Sequence, residues 1–451
     1  MRQWWIPLDA AVLVLLLAGA ACGASLSEVE ARLAEEIDRR QPQALALLER
    51  AVNINSGTLN FAGVREVGEL FDKALADIGL ETRWVDGAAF DRAGHLVAEH
   101  GTSGPHLLLI GHLDTVFEPD SPFQRFERRG TRARGPGVID MKGGNVVIVE
   151  ALAALKAVGV LDDLQITVVM TGDEESSGQP LSLARQALLE AARAADVALG
   201  FEDGDGDPAT AVIARRGYTG WHLEISATPA HSSLIFRDDV GAGAVFEAAR
   251  ILDGFRSELA GEQYLTFNPG VMLAGTRVDY DAANSTGDAF GKANVVAERA
   301  VVSGDLRTLS ADQLSSAKAR MTKIVAQHLP GTEATMTFTD GYPPLAPTDG
   351  NRRLLALYDR ASRDLGFGPV DAVDPAAAGA ADISFTADQV DMALDGLGLM
   401  GSDGHTVEET ADLTTLPSQT KRAAVLMYRL RQEIQGRADR KEKIRFDALM
   451  H

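Results

Sequence analysis

The sequence predicts an α/β protein with a largely parallel main sheet, interrupted by a smaller inserted α/β domain. Short apolar runs alternate with stretches of helical spacing, which is the pattern of strand, crossover helix and parallel strand. Each of the main apolar runs ends in a glycine-flanked loop that carries histidine or carboxylate. Near residue 215 the texture changes to the strict alternation of a half-buried strand, as in Tyr218-Thr219-Gly220-Trp221-His222-Leu223-Glu224-Ile225. A length of 451 residues suffices for two domains, and 45% hydrophobic with 24% charged residues is an ordinary globular composition.

At the N-terminus, the apolar run from Ala10 to Ala21, after Arg2 and two tryptophans, is too short to span a bilayer and reads as a secretory signal over residues 1–24. Export to the periplasm is the expectation, with Cys22 offering a lipid-anchoring alternative. Ser27 to Val52 opens with a Ser-x-x-Glu capping box and continues at helical spacing, with Pro42 expected to break or kink it. Strands are expected at His106–Ile110, Leu164–Met170, Val197–Phe201 and along Met392–Met400, with helices at Val146–Val158, Leu181–Ala194, Asn351–Leu365 and Thr415–Gln435. The inserted domain is placed at residues 215–330, with a helix near Val240–Phe255 and a strand at Ala300–Leu306; the main domain then comprises residues 25–214 and 331–451.

Charge and cysteine usage narrow the function. Acidic residues outnumber basic ones 64 to 43, a net charge of −21, which disfavours nucleic acid or an anionic membrane surface as partner. The single cysteine excludes internal disulfides and multi-thiolate metal sites, so a metal would be held by histidine and carboxylate. In open α/β sheets, sites form beyond the carboxyl ends of the strands. Four such ends carry Gly111-His112-Leu113-Asp114, Gly172-Asp173-Glu174-Glu175, Glu202-Asp203-Gly204 and Gly401-Ser402-Asp403-Gly404-His405. The loop Gly135-Pro136-Gly137-Val138-Ile139-Asp140 adds a carboxylate just before a helix.

Imidazole and carboxylate without thiolate suit zinc, with cobalt or manganese as substitutes. Two histidines and three carboxylates exceed the needs of one tetrahedral ion and suit two, which a shared carboxylate would hold about 3.5–4 Å apart. Asp114, two positions after a ligand-type histidine, is placed to orient that imidazole. Glu174, beside a ligand-type Glu175, is free to take a proton from water and pass it to a leaving amine.

His112-x-Asp114, the Gly-Pro-Gly-x-x-Asp140-x-Lys-Gly-Gly segment, the Glu174-Glu175 pair, Glu202 and Gly-His405-Thr together resemble the M20 family of co-catalytic zinc peptidases, close to its glutamate carboxypeptidase branch. The resemblance covers nearly the whole chain after the signal. It implies a di-zinc exopeptidase-type catalytic domain with an inserted lid and dimerisation domain, and a homodimer acting on small peptides or N-acyl amino acids. It also implies that His112, Asp140 and Glu202 hold one zinc and Asp140, Glu175 and His405 the other, with Asp140 bridging and Glu174 as general base. Glu rather than Asp at position 202 resembles the carboxypeptidase and acylase members. Ala227-Thr228-Pro229-Ala230-His231-Ser232 resembles the loop whose histidine reaches the partner subunit's site, and Asn294 with Gly304-Asp305-Leu306-Arg307 resembles the substrate-contacting stretch. Arg307 would clamp a free carboxylate, Asn294 orient it, and His231 donate to the developing oxyanion.

The chain departs from the pattern at Gly379-Ala380-Ala381-Asp382, which lacks the hydroxyl residue before the aspartate, and along Asp279–Gly291, which is longer and more acidic. His95, His100, His106, His222, His328 and His451 read as core or surface residues. Asp173, Asp203, Asp205 and Asp207 fit no calcium loop and read as solvated or supporting residues, and Arg307 has Asp305 as an alternative partner. Arg215 and Arg216 stand where the inserted domain begins, and either substrate or hinge would account for them.

Overall fold

The strand His106–His112 is buried along its whole length and forms the spine of the main sheet. The structure, a computed structural model, describes residues 26–282 and 285–449, with side chains through residue 434. The expected signal segment and Cys22 lie outside the described residues. Six strands line up as Glu81–Asp86, Gly94–His100, Gln165–Thr171, His106–His112, Val197–Gly200 and Met392–Leu394. The last four are mutually parallel, and the first two pair antiparallel at one edge. Because parallel neighbours run in the same direction, their carboxyl ends gather at one edge of the sheet.

The helix Lys142–Val158 is buried continuously from Lys142 to Leu155. Its apolar character on all sides follows from its position between the sheet and the helices Glu28–Val52 and Thr415–Leu449. It starts close to the strand end at Phe201: a Cβ on Gly144 would lie 1.9 Å from the Phe201 carbonyl oxygen, so only glycine permits this approach.

The inserted unit has its own core. Strands Thr266–Gly275, Arg299–Arg307, Thr219–Ala227 and Thr332–Asp340 form an antiparallel sheet in that order. Helices Ala244–Leu259 and Ala311–Val325 cover one face, burying Trp221, Leu223, Ile251, Phe255, Val302 and Met321. The acidic segment that begins at Asp279 lies in an exposed hairpin, Arg277–Asp281 against Thr286–Phe290.

Three expectations are corrected. Pro42 does not break the helix, which runs through it as Glu28–Val52, since burial of Leu33, Ile37, Leu47 and Leu48 outweighs one lost backbone hydrogen bond. The inserted sheet continues past 330, because Thr332–Asp340 pairs with Thr219–Ala227 as its edge strand; its alternating threonines mark one exposed face. The run Met392–Met400 is a strand only at Met392–Leu394, after which Gly396, at φ 76°, turns the chain. His405 therefore comes from a loop rather than from a strand end.

Phe255 is fully buried and packs edge-on against Trp221, with ring centroids 5.9 Å apart. Phe255→Ala is expected to destabilise the inserted unit by about 3–5 kcal/mol. Urea unfolding followed by Trp221 fluorescence, with Trp84 reporting the main domain, checks this; a shift below about 1 kcal/mol would contradict it.

Candidate dinuclear metal centre

Three of the four parallel strands deliver residues to one cluster at their carboxyl ends, and the loop beyond the fourth reaches it. His112 closes its strand, Glu174 and Glu175 follow Gln165–Thr171, Glu202 follows Val197–Gly200, and His405 comes from the loop beyond Met392–Leu394. Asp140 stands just before the helix Lys142–Val158, on the side of its positive dipole end. Its two oxygens face different imidazoles: Oδ1 lies 2.9 Å from His112 Nε2, and Oδ2 lies 2.8 Å from His405 Nε2. Glu202 Oε1 is 3.6 Å from the same His112 nitrogen, and Glu175 Oε2 is 3.2 Å from the same His405 nitrogen.

Two groups of ligand atoms result, His112–Asp140–Glu202 and Asp140–Glu175–His405, each with its ligand atoms within 4.8 Å of one another. Glu175 Oε1 is buried with no hydrogen-bond partner among the described residues, an arrangement that is costly unless something positive completes it. All donors are imidazole nitrogen or carboxylate oxygen. The residues therefore fit two divalent cations sharing Asp140, on hard or borderline ligands.

The surrounding hydrogen bonds aim these side chains. His112 Nδ1 lies 3.0 Å from the Asp114 main-chain oxygen and 3.5 Å from its carboxylate. A carbonyl only accepts, so Nδ1 carries the hydrogen and Nε2 is turned to the cluster. The fully buried Asp114 carboxylate has a second task. It accepts from the N–H groups of Glu174 at 3.0 Å and Glu175 at 3.1 Å, and from the Thr58 hydroxyl at 2.7 Å. His405 has φ 62° and Asp403 φ 63°, left-handed conformations that cost about 1–3 kcal/mol each and are held by Thr406 bonding back to the Asp403 carbonyl.

Several supporting residues have no clear sequence signal. Glu409 is fully buried and accepts N–H bonds from Gly137, Ile139 and Asp140, tying the His405 loop to the Asp140 loop. Asn145 donates to the His112 carbonyl at 2.6 Å. Asp173, read as solvated or supporting, is buried and paired with Arg185 at 2.6 Å; Arg185 also meets Asp382 at 2.8 Å. Arg215 resolves toward structure, since it is buried against Asp395 at 2.8 Å, whose other oxygen accepts from the Glu202 N–H.

His231, Asn294 and Arg307 belong to the inserted unit. His231 and Asn294 lie on paired segments, with the Ser232 N–H bonded to the Asn294 carbonyl at 2.9 Å. The exposed His231 accepts at Nδ1 from Ser233, which leaves Nε2 as its donor. Arg307 Nε pairs with Asp305 at 2.9 Å, and its guanidinium sits over the Tyr218 ring. These bonds hold the three residues within the inserted unit and do not join them to the metal cluster.

Imidazoles and carboxylates face one another at short range in this cluster. Burial opposes a charged His112, yet Glu202, Asp114 and Asp140 together hold it well above the usual imidazole range. Hydrogen bonds to Asp140 and Glu175 push His405 up to about 11. Asp140 is held below the ordinary carboxylate range: burial works against its charge, but the two imidazoles outweigh it. Burial raises Glu174, Glu175 and Glu202, and their repulsion by neighbouring carboxylates adds to it. Two cations would reverse this balance by placing positive charge beside every carboxylate.

The profile of Peptidase family M20/M25/M40 matches residues 108–429, and the chain belongs to that family. It is 26% identical over 398 residues to carboxypeptidase G2 of Pseudomonas sp. (strain RS-16), covering 86% of this chain and 90% of that one. Among solved structures, the aminopeptidase PepT of Bacillus cereus ATCC 10987 superposes with a TM-score of 0.65 at 18% identity, covering 86% of this chain and 97% of that one. The YXEP protein of Bacillus subtilis, described as a dinuclear metal binding peptidase of the M20 family, superposes at 0.59 with 13% identity, covering 86% and 98%. The fold is that of M20 peptidases, and the chain is a hydrolase of that class.

Ligation needs each imidazole free of a proton at Nε2, and the neighbouring carboxylates hold His112 and His405 above their ordinary range, so cation binding competes with protonation of both. Addition of zinc to metal-free protein at pH 7 in weak buffer is expected to release protons, and apparent affinity is expected to fall as pH falls. Release of none would contradict this charge assignment.

Proposed function

We propose that the protein is a zinc-dependent amide hydrolase of small peptides or N-acyl amino acids, acting as a carboxypeptidase that releases a C-terminal residue such as glutamate. The observation that carries this reading is the pair of ligand groups sharing Asp140, with Glu174 beside them outside the hydrogen-bonded ligand set. The relation to a carboxypeptidase across 86% of the chain supports the carboxypeptidase reading, and Glu rather than Asp at 202 fits carboxypeptidase and acylase alike.

Two zinc ions, when bound, supply Lewis acidity that polarises an amide carbonyl and acidifies water. His112, Asp140 and Glu202 would hold one and Asp140, Glu175 and His405 the other. Glu174 accepts the proton of the attacking water and returns it to the leaving amine. Arg307 uses its terminal nitrogens to clamp the substrate's free carboxylate, which Asn294 orients. His231 offers its Nε2 hydrogen to the oxyanion from the partner subunit of a homodimer. Export to the periplasm, by signal cleavage or by anchoring through Cys22, completes the proposal and rests on the N-terminal sequence alone.

Glu174→Gln removes the base and keeps the shape, so it is expected to retain metal and lose kcat by about 10³-fold or more. Hydrolysis of N-acyl glutamate, other N-acyl amino acids and dipeptides, with and without chelator, checks both class and preference; activity in Glu174→Gln or indifference to chelator would overturn the reading. Arg307→Ala is expected to raise KM by about tenfold or more on substrates with a free carboxylate and far less on their amides. Equal effects on both would remove Arg307 from the substrate site.

A further inference from the structure

The peptide unit joining Glu174 to Glu175 is held from both sides. Its carbonyl, that of Glu174, accepts the Tyr342 hydroxyl at 2.8 Å, and its N–H, that of Glu175, donates to Asp114 at 3.1 Å. A peptide unit is planar, so fixing both polar ends fixes its rotation, and with it the directions of the two side chains set by its flanking dihedrals. Those side chains have different tasks: Glu175 reaches His405, and Glu174 stays outside that pairing. We propose that Tyr342 is a positioning residue, aiming Glu174 by holding the carbonyl of this peptide; the inference rests on the reading of Glu174 as general base.

Tyr342 is itself oriented with little freedom. Arg185 donates to the Tyr342 oxygen at 2.8 Å. A guanidinium has no acceptor, so the phenol oxygen accepts there and directs its single hydrogen to the Glu174 carbonyl. Arg185 is locked by Asp173 and Asp382, and the Tyr342 ring packs on Phe385 with centroids 5.1 Å apart. Burial holds the phenol well above its ordinary range, so it stays a donor.

The position of Tyr342 in the chain gives this bond a further role. It lies two residues beyond Thr332–Asp340, on the segment by which the chain leaves the inserted unit. Its carbonyl accepts the N–H of Tyr218, on the segment by which the chain enters, and the Tyr218 ring lies under Arg307. The two linkers thus touch both the arginine assigned to the substrate carboxylate and the peptide that aims the base. The Tyr342 hydroxyl thus ties the exit linker of the inserted unit to the peptide that carries Glu174.

Tyr342→Phe deletes that oxygen and keeps the ring on Phe385. The expected result is a kcat lower by about tenfold to a hundredfold, with KM within about twofold and metal content unchanged. In a Glu174→Gln background the same change is expected to alter the residual rate by less than about twofold, because Tyr342 acts through Glu174. Incorporation of 4-aminophenylalanine at 342, which restores a donor, is expected to recover most of the loss. Unchanged kcat in Tyr342→Phe, loss of metal, a full additive effect in the Glu174→Gln background, or no rescue by the amine would each overturn the inference. Wild-type turnover in Glu174→Gln would instead remove the base reading itself, so the two failures are distinguishable.

Discussion

Asp140 presents one oxygen to each of two imidazoles, at 2.9 and 2.8 Å, and the remaining site residues are arranged around that division. A carboxylate can face two positive centres only if both approach it from different directions and both are held from behind. His112 is held by its strand and by the Asp114 carbonyl; His405 is held by a left-handed turn closed by Thr406. The Asp140 loop is pinned by the Glu409 carboxylate, which comes from the same segment as His405. One carboxylate thus sets the distance between two ligand groups, and a second, buried carboxylate sets the distance between the two loops that carry it.

The energetic consequence is a dense set of buried charges in the metal-free protein. Burial alone would neutralise most of these carboxylates, and the raised values of Glu174, Glu175 and Glu202 show the pressure to do so. The fold opposes it with directed hydrogen bonds: Asp114 takes three, and Arg185 bridges Asp173 and Asp382 behind the Glu174–Glu175 turn. Such networks cost more than an apolar core in stability and return geometry in exchange. Here that geometry separates the tasks of two adjacent glutamates.

Much of the fold is legible in the sequence because parallel strands announce themselves as continuous apolar runs, as in His106–His112 and Gln165–Thr171. The glycine-flanked loop at the end of each run, with its rare residue types, marks His112, Glu174, Glu175 and Glu202. His405 is marked by its residue type but with the wrong support, since periodicity in Met392–Met400 does not reveal the turn at Gly396. Pro42 misleads because propensity is local and helix burial is not. Glu409, Thr58, Asn145 and Tyr342 are invisible for a common reason: each acts on a group far away in the chain, and such partners leave no spacing signal. The inserted unit's last strand escapes a boundary at residue 330 because an edge strand with one exposed face looks like a polar segment.

Asp140 faces both ligand groups, so two cations, when bound, would depend on one side chain. Metal content per chain, measured by mass spectrometry on protein saturated with zinc and freed of excess, tests it in the wild type beside Asp140→Asn. Two equivalents in the wild type, falling below one in the variant because both positions lose their common ligand, is the predicted result. A wild type that saturates at one equivalent, or an Asp140→Asn protein that still holds two, would contradict the account.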